Sequence, residues 1–238
     1  MTLNIKDKPK DGFERVVYAE EDKFNFYSVI AIHNTKRGPA LGGCRYFNYQ
    51  DFNKQEEDVL KLAEAMTYKN SLAELPFGGG KATIHSKINK KDAYSLFGEV
   101  LNKLNGTYIT AGDMGTVDED LRGFREYSDH VCNPIGSDSG LGTALGVYYS
   151  MLGCVEFKFG QDSLVNKNIF IKGYGKTGSR IASLCKKDGA NIEISDLEHK
   201  KDLIERDGYK FCSQLQDTSF EKIDIYSPCA GGCLLYTS

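Results

Sequence analysis

Residues Asn168-Ile-Phe-Ile-Lys-Gly173-Tyr174-Gly175-Lys176-Thr177-Gly178 decide how the second half of the chain folds. Asn168–Lys172 is a short apolar run that reads as a buried strand. The three glycines after it stand at GxGxxG spacing, ahead of helix formers that reach about Lys187. Alone, the spacing is a weak signal that any glycine-rich turn can imitate. Between a strand and a helix, each glycine has a task. The first allows a tight turn, the second lets backbone approach a pyrophosphate, and the third lets helix and strand pack closely. The helix start adds unpaired N–H groups for phosphate, which brings in Tyr174, Lys176 and Thr177 as further candidate contacts. A second strand is expected at Asn191–Ser195. Asp196 follows it, where an acid accepts hydrogen bonds from an adenosine ribose. A carboxylate there repels a 2′-phosphate and favours NAD over NADP. No arginine directly follows it, although Lys200 and Lys201 are near.

Strand, helix and strand in that order imply a parallel sheet. Another strand is expected at Ile223–Tyr226, after a helix-like stretch. Upstream, a helix over Thr143–Phe159 carries Leu145, Tyr148, Leu152 and Val155 on one face, and the Gly/Ser/Asp run Gly136–Gly142 reads as a linker. Before Pro134 the texture changes to short strands and long helices, with strands expected at Arg15–Tyr18, Phe26–His33, Ala82–His85 and Tyr108–Thr110. The fold class is therefore α/β with two domains, 1–139 and 140–232.

The bulk numbers exclude several classes. The chain has 238 residues, 40% hydrophobic and 26% charged, with a formal net charge of -3. Such a balance gives no electrostatic reason to expect nucleic acid or an anionic membrane as partner. No run is long and apolar enough to span a bilayer, and the polar stretch Met1–Asp11 has no signal-peptide core, so a cytoplasmic location is expected. The seven cysteines form no CxxC pair and read as reduced, packed thiols. The four histidines show no metal spacing, so no metal is expected.

Three polar residues in the first half stand out. Lys54–Leu72 reads as a helix whose apolar stripe Val59, Leu62, Met66 and Ala73 is completed by Lys69. A lysine in a buried stripe needs a partner for its charge; otherwise it snorkels at the helix end. Next, Leu75-Pro-Phe-Gly-Gly-Gly-Lys81 delivers a lysine to a strand through three glycines, which read as room for close approach of a ligand. Finally, Ile109-Thr-Ala-Gly-Asp113-Met-Gly-Thr116 puts a carboxylate in a turn ahead of a helix capped by Thr116 with Glu119 three residues on. Asp113 is otherwise a plain turn residue. Two lysines and an aspartate on element ends suit a carboxylate-bearing substrate and proton transfer.

These segments carry a resemblance. Gly38-Pro-Ala-Leu41-Gly42-Gly43-Cys-Arg45, Met66-Thr-Tyr-Lys69-Asn70, Gly78-Gly-Gly-Lys81, Ala111-Gly-Asp113-Met-Gly-Thr116 and Asp224-Ile-Tyr-Ser-Pro-Cys229-Ala230 occur in this order. Together they resemble the glutamate/leucine/phenylalanine/valine dehydrogenases from about Pro39 to Gly232. The resemblance implies that 1–139 is a substrate, catalytic and oligomerisation domain and that 140–232 is an incomplete Rossmann domain for NAD. It implies that Lys69 binds the substrate carboxylate, that Gly42 and Gly43 lend it backbone, and that Lys81 is the general acid/base activating water. Asp113 would move protons at the substrate nitrogen. Thr143 would contact the nicotinamide side of the cofactor, and Cys229 and Ala230 would complete the cofactor loop. Hydride would leave the α-carbon, and water would add to the resulting imine. The products would be a 2-oxo acid and ammonia. That chemistry needs Lys81 neutral, with a pKa depressed by burial and by Lys69.

Glutamate dehydrogenases typically carry a lysine before the Gly-Gly-x-Arg motif; here the position is Leu41. An apolar residue leaves a distal carboxylate unpaired, so Leu, Val, Ile or Phe is the expected substrate and glutamate the disfavoured one. A non-catalytic nucleotide-binding or assembly module is the other alternative. Two departures from the family pattern stand out. The run before Thr143 looks shortened, and Gly112 precedes Asp113 where leucine dehydrogenases more often have a glutamate. The family also continues for about a hundred residues past Gly232, an extent judged from typical two-domain chains. The chain is therefore expected to be cut short, with Cys233–Ser238 read as a non-native tail like one frame of a sequencing adaptor. A homo-oligomer of unspecified number is implied as well.

Overall fold

The structure, a computed structural model, describes residues 3–132, 139–213 and 222–230. Two compact units divide between Ile135 and Gly136. The sequence alone places that boundary at 139/140.

In the first unit, runs of β-branched and aromatic residues form strands that one sheet collects. These are β1 (Asn4–Asp7), β2 (Arg15–Glu21), β3 (Phe26–Asn34), β4 (Ala40–Phe47), β5 (Gly78–His85) and β6 (Tyr108–Gly112), in the order β1-β2-β3-β5-β4-β6. β1, β2, β3 and β5 pair antiparallel, whereas β5, β4 and β6 run parallel. Alternation along each strand then divides the side chains between two faces. Ile30, Ile32 and Ile84 pack with Leu96, Phe97 and Leu101 of α2 (Lys90–Lys103) and Phe124 of α3 (Asp118–Arg125). Val16, Tyr18, Val29 and Ala31 pack against Val59 and Ala63 of α1 (Phe52–Leu72).

The helix α1 occurs where expected, but only part of the expected stripe is covered. Val59 is buried and Leu62 and Met66 are half-buried, whereas Lys69 and Ala73 are exposed; Gln55, Ala63 and Asn70 are buried beside Val59. Two buried amides explain the difference. Gln55 Nε2 donates to Thr83 Oγ1 at 3.1 Å, and Asn70 Nδ2 donates to the carbonyls of Gly78 at 2.6 Å and Leu41 at 3.2 Å. Buried polar groups with partners of this kind are affordable, and they are invisible to a reading that counts apolar letters.

The glycines at 78–80 also differ from expectation. They lie inside β5, and they make room for protein atoms instead of a ligand. A Cβ at Gly78 would fall 1.9 Å from Asn34 O, one at Gly79 2.1 Å from Thr67 N, and one at Gly80 2.9 Å from the Tyr108 ring. The start of α3 is shifted as well. Its N-cap is Val117, whose N–H donates to Asp120 Oδ2 at 2.9 Å, so neither Thr116 nor Glu119 caps the helix.

The second unit is a parallel sheet. Its strands are β7 (Asn168–Lys172), β8 (Asn191–Ser195), β9 (Lys210–Phe211) and β10 (Ile225–Pro228), in the order β10-β7-β8-β9. With β7 as the first strand this is the order 3-2-1-4 of a Rossmann sheet. The first two strands have the expected bounds, and β10 begins two residues later than expected because Asp224 is spent on bonds to Asn168 at both its N–H and its carboxylate. The helices are α4 (Ser139–Phe159), α5 (Gly178–Lys187) and α6 (Lys201–Arg206). Ser139–Gly142, expected as linker, is the first turn of α4; Gly136–Asp138 lie outside the described residues. The buried side of α4 carries Ala144, Met151 and Val155, with Tyr148 and Leu152 flanking it. Among the described residues no helix is long and apolar enough to cross a membrane, and no cluster of His, Cys, Asp and Glu has a metal-holding arrangement. Cys233–Ser238 lie outside the described residues.

Candidate active site

The parallel strands of the first unit bring together residues far apart in sequence. Pairing of Ala31 with Lys81 and of Arg45 with Thr83 puts Lys81 and Arg45 on the face of the sheet that α1 covers. Asp113 follows the last residue of β6. Its turn is tied down by Thr116, whose hydroxyl accepts from Asp113 N at 2.8 Å and donates to Cys44 O at 2.9 Å. Thr116 therefore holds the acid's loop, which is why it does not cap α3. Gly43 permits the approach: a Cβ there would lie 2.9 Å from Asp113 Cβ and 2.4 Å from Gly112 O. At Gly42 a Cβ would meet Gly80 O at 1.8 Å and Met66 Cγ at 3.3 Å, so this glycine lets β4 and β5 close up.

Lys81 is 5% exposed, and its Nζ lies 3.2 Å from Asp113 Oδ2. Burial pushes the ammonium below the ordinary lysine range. The charge and hydrogen bond of Asp113 pull it back up, and the Arg45 guanidinium pushes it down again, with a net lowering. The sequence alone points to Lys69 as the second cation. The structure gives that part to Arg45, because Lys69 stands exposed on the last turn of α1 and makes no ion pair among the described residues. For Asp113, burial alone would raise the carboxyl. The charges of Lys81 and Arg45, with their hydrogen bonds, outweigh burial and hold it below the ordinary carboxylate range.

Sequence reasoning missed the residues behind this pair. Arg45 Nε donates to Asp113 Oδ2 at 2.8 Å, and its Nη1 donates to both oxygens of Asp58 at 2.8 and 3.0 Å. Tyr49 OH donates to Asp58 Oδ2 at 2.7 Å. Arg45 stands inside the Gly38–Arg45 motif two positions after Gly43, a spacing that puts the two on one face only once β4 is known to be a strand. Of the other predicted residues, Leu41 belongs to that same face of β4. Lys81, Asp113, Gly42 and Gly43 are brought together, and Lys69 is exposed on the last turn of α1, next to Asn70, which bonds the carbonyls of Leu41 and Gly78.

In the second unit the glycine turn has the shape its spacing foretold. Gly173 takes a φ of +105°, in the left-handed region. A Cβ at Gly178 would fall 1.9 Å from Gly173 O, so α5 starts against the turn itself. At Gly175 a Cβ would meet nothing within 4 Å. Cys229 and Ala230 lie against Gly173, and Cys229 N donates to Lys172 O at 2.7 Å. Asp196 accepts from Tyr174 N at 2.5 Å and Leu197 N at 2.7 Å, and Lys200 Nζ stands 3.0 Å away. Burial alone would raise this carboxyl, and those N–H donors with Lys200 hold it low. Thus Asp196 is an anion in the turn after β8. The Tyr174 side chain points elsewhere, donating to Asp207 Oδ2 at 2.7 Å. Thr177 precedes α5 as its N-cap, and Thr143 is an exposed position on α4. An open face over Gly175 beside a helix start and an anchored acid fits a dinucleotide.

Comparison with known proteins is consistent with both units. Residues 14–129 match the description "Glu/Leu/Phe/Val dehydrogenase, dimerisation domain". The phenylalanine dehydrogenase of Thermoactinomyces intermedius is 37% identical over 232 residues, which are 93% of this chain and 63% of that one. The leucine dehydrogenase of Bacillus subtilis (strain 168) is 35% identical over 97% of this chain and 66% of its own. Among solved structures, L-tryptophan dehydrogenase from Nostoc punctiforme aligns with a TM-score of 0.67 at 27% identity, over 92% of this chain and 64% of that one. The chain thus spans just under two thirds of the length of these relatives.

Proposed function

The chain belongs to the Glu/Leu/Phe/Val dehydrogenase family, and on that premise we propose that it oxidatively deaminates an apolar L-amino acid to the 2-oxo acid and ammonia with NAD. The observation that carries this reading is the buried Lys81–Asp113 pair, whose lysine is pushed toward its neutral form. Lys69 holds the substrate carboxylate as a cation, and the backbone at Gly42 and Gly43 lines its path. Neutral Lys81 takes a proton from water as the water adds to the substrate imine. It returns that proton as the adduct collapses. Asp113 carries protons to and from the departing nitrogen. Leu41 offers an apolar neighbour to the substrate side chain and no partner for a second carboxylate.

NAD would be held by Gly173, Tyr174, Gly175, Lys176, Thr177 and Gly178 at its phosphates and by Asp196 at its ribose. Thr143, Cys229 and Ala230 complete that set. When bound, it accepts the hydride from the substrate α-carbon. The description of residues 14–129 as a dimerisation domain supports a homo-oligomer. Free thiols at Cys44, Cys132, Cys154, Cys185, Cys212 and Cys229 support a reducing, cytoplasmic setting.

The test is NADH formation with leucine, isoleucine, valine, phenylalanine and glutamate, each with NAD and with NADP. Turnover is expected with the apolar amino acids and NAD. A glutamate-only result would return the chain to glutamate dehydrogenase. Binding of NAD without turnover of any amino acid would favour a non-catalytic module.

The pH profile gives a second prediction. Because Lys81 is held below the ordinary value of about 10.4, the acidic limb of kcat/KM for deamination is expected to have its midpoint below that value. Activity should be lost as pH falls through it, when Lys81 becomes protonated. A midpoint at or above the ordinary lysine value would contradict the assignment.

A further inference from the structure

Asp113 has two carboxylate oxygens, and the structure uses them unequally. Oδ2 receives both Arg45 Nε at 2.8 Å and Lys81 Nζ at 3.2 Å. Oδ1 accepts no hydrogen bond among the described residues. A proton shuttle needs one oxygen held and the other presented to the reacting nitrogen. A carboxylate free to rotate about its last bond would present either oxygen. Lys81 cannot do the holding, since it must lose its proton in the reaction and so gives up the charge in its bond to Asp113. Arg45 can, because a guanidinium stays charged throughout and offers donors in a fixed fork.

Arg45 is itself held. Its Nη1 is shared between the two oxygens of Asp58 on α1, and Tyr49, in the connection from β4 to α1, donates to Asp58 Oδ2. The side chains of Arg45 and Asp58 are only 18% and 30% exposed. Asp58 engages only Nη1 of the guanidinium, and Nε is left for Asp113. The guanidinium thus spans from a helix acid, which takes no part in the chemistry, to the acid that does.

We propose that Arg45, anchored by Asp58 and Tyr49, is a positioning residue that fixes Asp113 by Oδ2 and so presents Oδ1 to the substrate nitrogen. This rests on the amino-acid dehydrogenase reading above. The charged groups that act on Asp113 are Lys81 on β5 and Arg45 on β4; the titratable Cys44, Tyr49 and Tyr108 lie near enough to feel its charge, and Asp58 stands behind Arg45. The nearby acid Asp120 of α3 is already paired with Lys90 at 2.8 Å. Of these, Arg45 is the one cation near Asp113 that does not titrate in the working range.

The experiment compares Asp58→Asn, Arg45→Lys and Arg45→Met with the parent protein. Asp58→Asn keeps the shape and the Tyr49 contact but loosens the anchor. It is expected to lower kcat about tenfold, since misplacement by an ångström can cost up to about a hundredfold. KM for the amino acid and for NAD should stay within about twofold, because no binding contact is removed. Arg45→Lys should recover part of the kcat lost in Arg45→Met. In protein labelled with 13C at aspartate carboxyls, the Asp113 signal of Arg45→Met should titrate at higher pH than in the parent, because a cation that lowers it is gone. Unchanged kcat in Asp58→Asn, or an unmoved Asp113 titration in Arg45→Met, would overturn the proposal. A fall in melting temperature with kcat per folded molecule intact would reduce Arg45 to a structural part. If the parent turns over no amino acid, the dehydrogenase reading fails, and the Asp113 titration alone decides whether Arg45 governs that carboxylate.

Discussion

Replacing Lys81 by alanine is expected to lower kcat for oxidative deamination by about 10²–10⁴-fold, the range a positioned general base contributes. The magnitude follows from burial. With Lys81 only 5% exposed beneath α1, solvent cannot easily supply a base in its place, and Asp113 stays an anion under the charge of Arg45. The fold should tolerate the change. Asp113 keeps its bond to Arg45 and its loop keeps Thr116, so no buried charge is left unpaired. The decisive control is Lys81→Arg. It preserves the cation and a partner for Asp113, but a guanidinium does not deprotonate near neutral pH and cannot serve as base. Both variants are expected to bind NAD like the parent and to be nearly inactive. An active Lys81→Arg enzyme would mean that Lys81 acts as a fixed charge, and the water-activating role would have to be given up. Lys69→Ala makes the contrast. Removal of this exposed cation, proposed to hold the carboxylate, should raise KM for the amino acid far more than it changes the melting temperature.

The two lysines also show where sequence reasoning succeeds and where it stops. Lys81 and Asp113 stood out as candidates because glycines flank each of them, although the glycines before Lys81 lie inside β5. Lys69 was legible as a position, and of the two states open to it the structure shows the second, exposed at the end of the helix. The stripe was traced through apolar letters, while the actual buried face of α1 runs through Gln55 and Asn70, whose amides find partners only once β4 and β5 lie beneath them. β7 was readable to the residue because Ile169, Phe170 and Ile171 make a short continuous apolar run, and β8 because Ile192 and Ile194 alternate with polar residues. β4 and the first half of β5 were not readable as strands, since Gly42, Gly43 and Gly78–Gly80 are poor strand formers. They are glycines because carbonyls, a helix backbone and, at Gly80, the Tyr108 ring occupy the space of their side chains, which is a property of the assembled sheet. For the same reason the Arg45–Asp58–Tyr49 network escaped notice. It depends on the register of β4 against β5 and on the placement of α1, and no periodicity in one segment encodes either.

The glycines of the second unit give the other large prediction, because two of them should fail in different ways. Alanine at Gly178 would put a methyl group 1.9 Å from Gly173 O and 3.2 Å from Cys229 Cβ. Backbone on that side cannot swing away as a side chain can. The helix α5 must therefore lift from the turn, at a cost of about 1–3 kcal/mol or more for overpacking. Gly178→Ala is thus expected to lower the melting temperature without any ligand present, and NAD affinity with it. Alanine at Gly175 would meet nothing within 4 Å, so the ligand-free protein should melt like the parent. Its methyl group would instead occupy the open face on which the pyrophosphate is proposed to lie. A similar clash of about 1–3 kcal/mol corresponds to about a 5–150-fold rise in the NAD dissociation constant. Thermal melting of both variants without NAD, followed by calorimetric NAD titration, separates the two effects. Gly175→Ala protein that binds NAD like the parent would mean that the phosphates do not pass over that glycine, and the cofactor assignment of the whole turn would fall. Gly178→Ala protein that melts like the parent would leave that assignment standing and would instead contradict the close packing of α5 on β7.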